Sequence, residues 1–238
     1  MGAVIFILIM VAVGAAALFA YRAKQKRREA LATFALQNGM EYAMADPFNL
    51  AAYPFHLFSL GDGRGCENIV WGNWQGLPVK EADYWYYTET TDSQGHKTKS
   101  YKRFSVAIAD LQATLPEVRV EKTSLLAGLA DHLGFHDIQF ESDAFNREFD
   151  VRAKDREFAY KLIDARMMAW LLSTRGAFGF EVGGPCLLVY SGARKPGELI
   201  PLLGSTKLFH DHIPRLVWNE YGTLEPAVRP DPNERSEP

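Results

Sequence analysis

Apolar and polar positions change rhythm several times along the chain, and each change predicts an element. From Ala3 to Ala20 there is no charged residue: Ile5, Phe6, Ile7, Leu8, Ile9, Val11, Val13, Leu18 and Phe19 are spread round every face of a helix. At about 1.5 Å per residue, Ala3–Tyr21 gives roughly 28 Å of helix, close to the ~30 Å hydrocarbon core of a bilayer. A helix satisfies its own backbone hydrogen bonds, the condition for spanning lipid. Residues 1–21 are therefore expected to be a transmembrane anchor, with Tyr21 at the interface. Ala12, Ala16 and Ala20, four apart, would allow two such helices to approach closely.

The pattern then becomes amphipathic. Residues 22–39 read as a basic stub and stalk helix, with Leu31, Phe34 and Ala35 on one face and a stop at Asn38-Gly39. Residues 40–66 read as loop, with a turn at Gly61-Asp62-Gly63-Arg64-Gly65. Alternation predicts strands at Asn68–Trp74, Val79–Thr90 and Lys99–Ala109, joined by turns at Gln75-Gly76 and Asp92-Ser93-Gln94-Gly95. A fourth strand follows Pro116 around Val118 and Val120. Helices are expected at Ser124–Leu133, at Asp155–Thr174 (with Asp164 able to divide it) and from Pro201 to Asp211. In the second helix Trp170 is expected to be buried. Ile138–Glu141 pairs with Phe149–Ala153, and Phe178–Val182 with Cys186–Tyr190 through a Gly183-Gly184-Pro185 turn. Residues 225–238, rich in proline and charge, read as a disordered tail. The fold class expected is α+β: one N-terminal transmembrane helix, then an antiparallel-sheet domain over residues 40–224 covered by helices.

Charge adds direction. The chain carries 26 basic and 29 acidic residues; without Arg22, Lys24, Lys26, Arg27 and Arg28 the balance is 21 to 29, a net −8. An acidic domain disfavours a nucleic-acid partner. No basic residue precedes the apolar run, which argues against a cleaved signal peptide. The basic residues follow it, so the positive-inside rule predicts an uncleaved cell-membrane anchor, N-terminus out and C-terminal domain cytoplasmic. Cys66 and Cys186 lack metal-binding spacing and read as reduced, packed thiols in such a compartment.

The run Phe140-Glu141-Ser142-Asp143-Ala144-Phe145-Asn146-Arg147-Glu148-Phe149-Asp150-Val151, followed by Asp155, Ala159, Leu162, Met167-Met168 and Leu171-Leu172, resembles a bacterial family of membrane-associated proteins of unknown function. The family pattern is a Phe-x-Arg-x-Phe-x-Val strand, then Asp, an Ala-x-x-Leu helix and a β-hairpin. The resemblance spans roughly residues 60–215 and implies a membrane-associated bacterial protein; it carries no functional residue across.

Candidate chemistry is sparse. His132 and His136 lie four apart, but Gly134 separates them and no glutamate adjoins His132. On a helix, His210 and His212 point in widely different directions. His56 and His96 sit in predicted loops. Glu141, Asp143 and Asp150 are ordinary strand and turn carboxylates. There is no nucleophile elbow and no Walker sequence, and neither a metal nor a cofactor is expected.

The distinctive local feature is Tyr84-Trp85-Tyr86-Tyr87, whose alternation sends Tyr84 and Tyr86 to one face and Trp85 and Tyr87 to the other. These four are the candidate binding residues: one pair packs inside, and the other, if uncovered, forms a binding strip. The leading expectation is a single-pass membrane protein, held in the bilayer by residues 3–21, with an interaction or scaffold domain for a protein partner. The alternative is a membrane-tethered hydrolase using clustered His and Asp residues. A third reading, a lipid-surface sensor, requires Lys97, Lys99, Lys102 and Arg103 to point toward the bilayer.

Overall fold

The computed structural model describes residues 2–122 and 136–222. The expected helix at 124–133, with His132, and the tail from 225 lie outside the described residues. One unbroken helix, α1 (Gly2–Gln37), joins the apolar run to the amphipathic stalk. Gly39 ends it at φ +64°, and the Met40 N–H donates back to the Ala35 carbonyl at 2.8 Å. Among the described residues nothing covers the apolar half of α1: Phe19 is 77% exposed, and Val4 to Leu18 expose their apolar side chains similarly. The stalk half buries Leu31, Phe34 and Ala35 as the pattern predicts.

An antiparallel sheet follows. Its strands are β1 (Glu41–Ala45), β2 (Gly63–Trp74), β3 (Leu77–Thr91), β4 (Lys97–Lys122) and β5 (His136–Asp137). After α2 (Asp143–Glu148) comes β6 (Phe149–Ala153). Then α3 (Arg156–Leu162), α4 (Ala165–Ser173), β7 (Gly179–Gly192), α5 (Leu199–His212) and α6 (Arg215–Tyr221) complete the chain. The strand order is β1-β2-β3-β4-β6-β5, with β7 on β4 as well. The expected α+β architecture, an apolar helix followed by an antiparallel sheet with helices, is what the chain adopts.

The expectations that fail do so for identifiable reasons. Residues 40–66 are not all loop: β1 pairs with β2 (Tyr42 opposite Val70), and Gly63–Gly65 belong to β2 rather than to a turn. Those glycines are opposite Tyr87 and Trp85, and a Cβ would come within 2.5 Å of the Tyr87 ring or 2.9 Å of the Trp85 ring. Their spacing serves close approach. The separate strand after Pro116 is the far half of β4. Between its Asp110↔Cys186 and Leu115↔Gly184 pairs, residues 111–114 of β4 face only Pro185 of β7, so the strand bends and continues. The same irregularity keeps β7 a single strand: Gly183-Gly184-Pro185 lies opposite the bend and does not reverse the chain. Phe145 begins no strand, because the Ser142 hydroxyl accepts from the Phe145 N–H and caps α2. Pairing with β6 covers His136–Asp137 and ends where the Ile138 N–H donates to the Val151 carbonyl at 2.9 Å, so of the expected Ile138–Glu141 only the first residue meets β6. Beyond it, the Asn146 amide bonds both the N–H and the C=O of Phe140 (2.9 and 2.7 Å), doing what a strand partner would have done.

Asp164 does divide the expected long helix, accepting from the Met167 N–H at 2.8 Å. Trp170 is only half-buried. It stands at the margin of the helix-side core, edge-on to Phe180 and Phe209, with His212 stacked against it at 5.1 Å. Each side of the sheet carries its own core. On one side residues of α1 to α6 join Val79, Val118, Val120 and Phe180 in one cluster; on the other, residues 50–60 cover Tyr84, Tyr86, Ile108 and Tyr190.

Phe158 is fully buried in the helix-side core, whereas Trp170 keeps solvent contact. Phe158→Ala should therefore cost about 3–5 kcal/mol in chemical denaturation. Trp170→Ala should cost clearly less, and an equal loss would place Trp170 in the core after all.

Candidate functional site

The four aromatic residues of β3 divide as the strand alternation requires. Tyr84 and Tyr86 are 1% exposed, and the Tyr84 hydroxyl donates to the Leu57 carbonyl at 3.0 Å. Their rings are out of a partner's reach. Trp85 and Tyr87 lie on the helix side and are half-exposed; their rings stack at 6.4 Å, with Tyr101 of β4 beside both at 5.9 and 5.4 Å. Tyr101, not singled out in the sequence, completes the cluster. Its register opposite Tyr87 is the signal that would have found it. Lys99 lies 4.2 Å over the Tyr87 ring, and Arg103 flanks Tyr101 at 5.9 Å.

Alongside this strip, α1 is fastened to the sheet. The Arg27 guanidinium grips both carboxylate oxygens of Asp83 and donates to the Arg194 carbonyl at 2.6 Å. Asp83 also accepts from the Asn68 amide at 2.8 Å, and Asn68 in turn accepts from the Tyr42 hydroxyl. Asn68 holds φ +58° at an irregularity in β2. Lys24 pairs with Glu67 at 2.6 Å, directly across β2–β3 from Asp83. The hydrogen bond to Asp83 holds the Arg27 pKa above its ordinary value, outweighing the opposing effect of burial. Between α1 and the sheet, just above these bridges, runs a groove of about 480 Å³ lined by Ala20, Ala23, Lys24, Trp85, Arg103 and Ala193.

One acid beneath this junction has no partner. Glu81 is fully buried on the helix side of β3, and neither carboxylate oxygen receives a hydrogen bond. Burial raises its pKa well above 4.5, Asp83 adds to the shift and Arg27 opposes it, so the neutral form is favoured. The alternation of Leu77, Val79 and Glu81 already points this side chain inward.

A second cavity, about 580 Å³, opens at the opposite side of the sheet between residues 51–59 and the β4–β7 pair. Arg119 and Glu181, cross-strand neighbours, line it beside Tyr53, Phe55, Arg64 and Lys154. Both oxygens of Glu181 are taken by backbone N–H groups, those of His56 (2.6 Å) and Leu57 (2.9 Å). Burial pushes its pKa up to about 7. Glu181 is therefore a clamp on the 50–60 segment. Each of these two residues interrupts an apolar run, Val118-Arg119-Val120 and Phe180-Glu181-Val182, which is the sequence signal for it.

Among the described residues the histidines do not converge. His136 is exposed on β5, His96 is at the β3–β4 turn, and His56 borders the second cavity. His210 bonds Asp211 at 3.2 Å, and its ring lies against Trp218; His212 bonds the Leu208 carbonyl and stacks on Trp170. Among the described residues no group of His, Cys, Asp and Glu could hold a metal ion. Glu141 is exposed at a turn; Asp143 opens α2, and Asp150 pairs with Arg152 at 3.0 Å. Cys66 and Cys186 are free thiols; burial pushes Cys186 up to about 11 and Cys66 higher, which keeps both protonated at neutral pH.

No protein-family model matches the chain, and no curated protein matches it. Among solved structures, the fold is similar to the crystal structure of the mycobacterial trehalose monomycolate transport factor A, TtfA. The TM-score is 0.59 at 15% sequence identity, over 78% of this chain and 93% of that one. At that identity the likeness is one of fold.

The folded chain retains a proton on Glu81 that the unfolded chain releases above about 4.5, so this residue makes stability fall as pH rises past that value. Glu81→Gln, which mimics the neutral acid, should gain melting temperature over the parent at pH 8 and little at pH 5. A gain independent of pH would show that Glu81 is ionised in the fold.

Proposed function

We propose that this chain is a single-pass membrane protein whose α+β domain receives a protein partner at the bilayer surface, as an accessory factor of a membrane transport assembly. Residues 1–21 anchor it, residues 22–39 form a basic stalk, residues 40–224 are the working domain, and residues 225–238 are a tail. The domain lies in the cytoplasm, because the five basic residues follow the apolar segment.

The observation that carries this reading is the fastening of α1 to the sheet by Arg27–Asp83 and Lys24–Glu67. Two bridges within two helical turns of the apolar segment deny the domain a loose tether and fix its height and tilt at the membrane. The groove they leave, with Ala20 and Ala23 on one wall and Trp85 on the other, opens where α1 emerges from the lipid. Small residues facing an indole form a slot for a helix or extended segment approaching along the bilayer. A partner sharing that bilayer meets the groove without leaving the membrane. TtfA, the fold neighbour, is by its title a transport factor, which fits an accessory role for this architecture.

With the full chain in cell membranes, a photo-crosslinker at Ala23 should trap a discrete protein adduct. The same probe at Glu141, at a turn outside the groove, should not. Trp85→Ala should reduce the Ala23 adduct about tenfold or more, as loss of an interface hot spot does. An adduct of unchanged yield in Trp85→Ala would exclude the groove as the docking site. A reporter fused to the C-terminus should be active only in the cytoplasm; activity on the other side would reverse the topology.

A further inference from the structure

Three contacts fix the direction of β3 relative to α1. Phe34 stacks on Trp74, the partner of the first β3 residue, Leu77. Seven residues earlier on the helix, Arg27 grips Asp83. Earlier again, Ala20 and Ala23 share their groove with Trp85 and Arg103. Following α1 back toward its apolar segment is thus following β3 forward toward its turn. The β3–β4 hairpin extends past Trp85 on the side where α1 enters the membrane.

The same contacts give the depth. From Phe34 to Arg27 the helix advances about 10 Å, while β3 advances about 20 Å from Leu77 to Asp83. The strand therefore gains roughly half its length along the helix axis. On that slope Tyr87 and Tyr101 come level with about Arg22, and the Glu89–Lys99 and Thr91–Lys97 pairs with roughly residues 18–20. That is the zone where the apolar segment meets its basic stub, the headgroup layer of any bilayer that α1 crosses.

The chemistry there suits headgroups. On the α1 side of the hairpin, cross-strand pairing places Lys97, Lys99, Tyr101 and Arg103 opposite Thr91, Glu89, Tyr87 and Trp85. Residues 86–103 hold four basic side chains (Lys97, Lys99, Lys102, Arg103) against Glu89 and Asp92. This positive end belongs to a domain that is otherwise acidic. Residues 91–103 are all exposed, Tyr101 by 51%. Tyrosines at headgroup level with lysines and arginines around them are the composition of a membrane-interface belt.

We propose that the β3–β4 hairpin is a second membrane contact, in which Lys97, Lys99 and Arg103, with Tyr87 and Tyr101, engage the anionic lipid headgroups of the bilayer that α1 spans. The helix supplies the depth and the hairpin the tilt, so the domain stands on two feet. This contact borders the groove, with Arg103 common to both, and needs no protein partner.

The full chain reconstituted in nanodiscs tests it, with phosphatidylcholine alone compared with phosphatidylcholine mixed with phosphatidylglycerol. Amide hydrogen exchange at residues 88–102 should slow several-fold in the anionic discs, and added salt should remove the protection. Lys97→Glu/Lys99→Glu/Arg103→Glu should abolish it, while Val106–Ala109 exchanges as in the parent, reporting an intact sheet. If the triple variant unfolds, the lipid dependence of the parent chain still decides. Equal exchange in both disc types overturns the proposal. So does protection that persists through charge reversal, or that arises only when membrane proteins are added to neutral discs, which would assign the hairpin to a protein. Since the discs contain no partner, none of these outcomes bears on the groove.

Discussion

The Arg27–Asp83 pair is the constraint on which the arrangement of this molecule depends. Arginine offers a planar fork that matches a carboxylate, and here both oxygens of Asp83 are used while the third nitrogen reaches the Arg194 carbonyl. The pair is largely shielded, and Asp83 is further held by Asn68, itself held by Tyr42. Such a network tolerates one geometry, because displacing any member leaves a polar group without its partner in a low-dielectric setting. The result is that a long helix, apolar and bare over its first half, is coupled to a sheet at a defined height. A flexible linker at the same place would have left the domain free to tumble relative to α1.

The sheet beneath this junction departs from a flat ladder in both β2 and β4. In β2, the irregularity at Asn68 turns that side chain toward Asp83. The glycines at 63 and 65 remove two side chains so that Tyr87 and Trp85 can lie down on the neighbouring backbone. In β4, the bend opposite Pro185 gives the strand three partners: β3 and β6 along one edge, β7 along the other. One chain segment thereby links the aromatic end of the sheet to the end where Glu181, paired across from Arg119, holds the 50–60 segment in place. The two buried acids differ in what they do. Glu181 spends both oxygens on backbone N–H groups, whereas Glu81, its pKa raised by burial, has neither oxygen hydrogen-bonded and lies two residues from Asp83 on the same side of β3.

The amino-acid sequence by itself determined what depends on neighbours along the chain. An uncharged run of eighteen residues specifies a membrane-length helix, since length and apolarity are its only requirements. Leu31, Phe34 and Ala35 fix the buried face of the stalk by periodicity, and Asp155 and Asp164 start α3 and α4 through side-chain caps three residues long. Strand alternation was enough to separate Tyr84 and Tyr86 from Trp85 and Tyr87. Tertiary structure decided whatever required a distant partner. Gly61–Gly65 has the composition of a turn, and only the rings of β3 packed against β2 make part of it a strand. Gly183-Gly184-Pro185 has the composition of a hairpin, yet pairing with β4 on both sides of it costs less than reversing the chain. Asn146 replaced a strand that alternation predicted. Arg27 reads as one more basic residue in a positive stub until Asp83, fifty-six residues away, gives it a partner. Local rules govern caps, periodicity and membrane length because their energies are settled within a few residues. Bulges, bridges and the groove are settled between strands and helices far apart in sequence, where only the folded chain brings the atoms together.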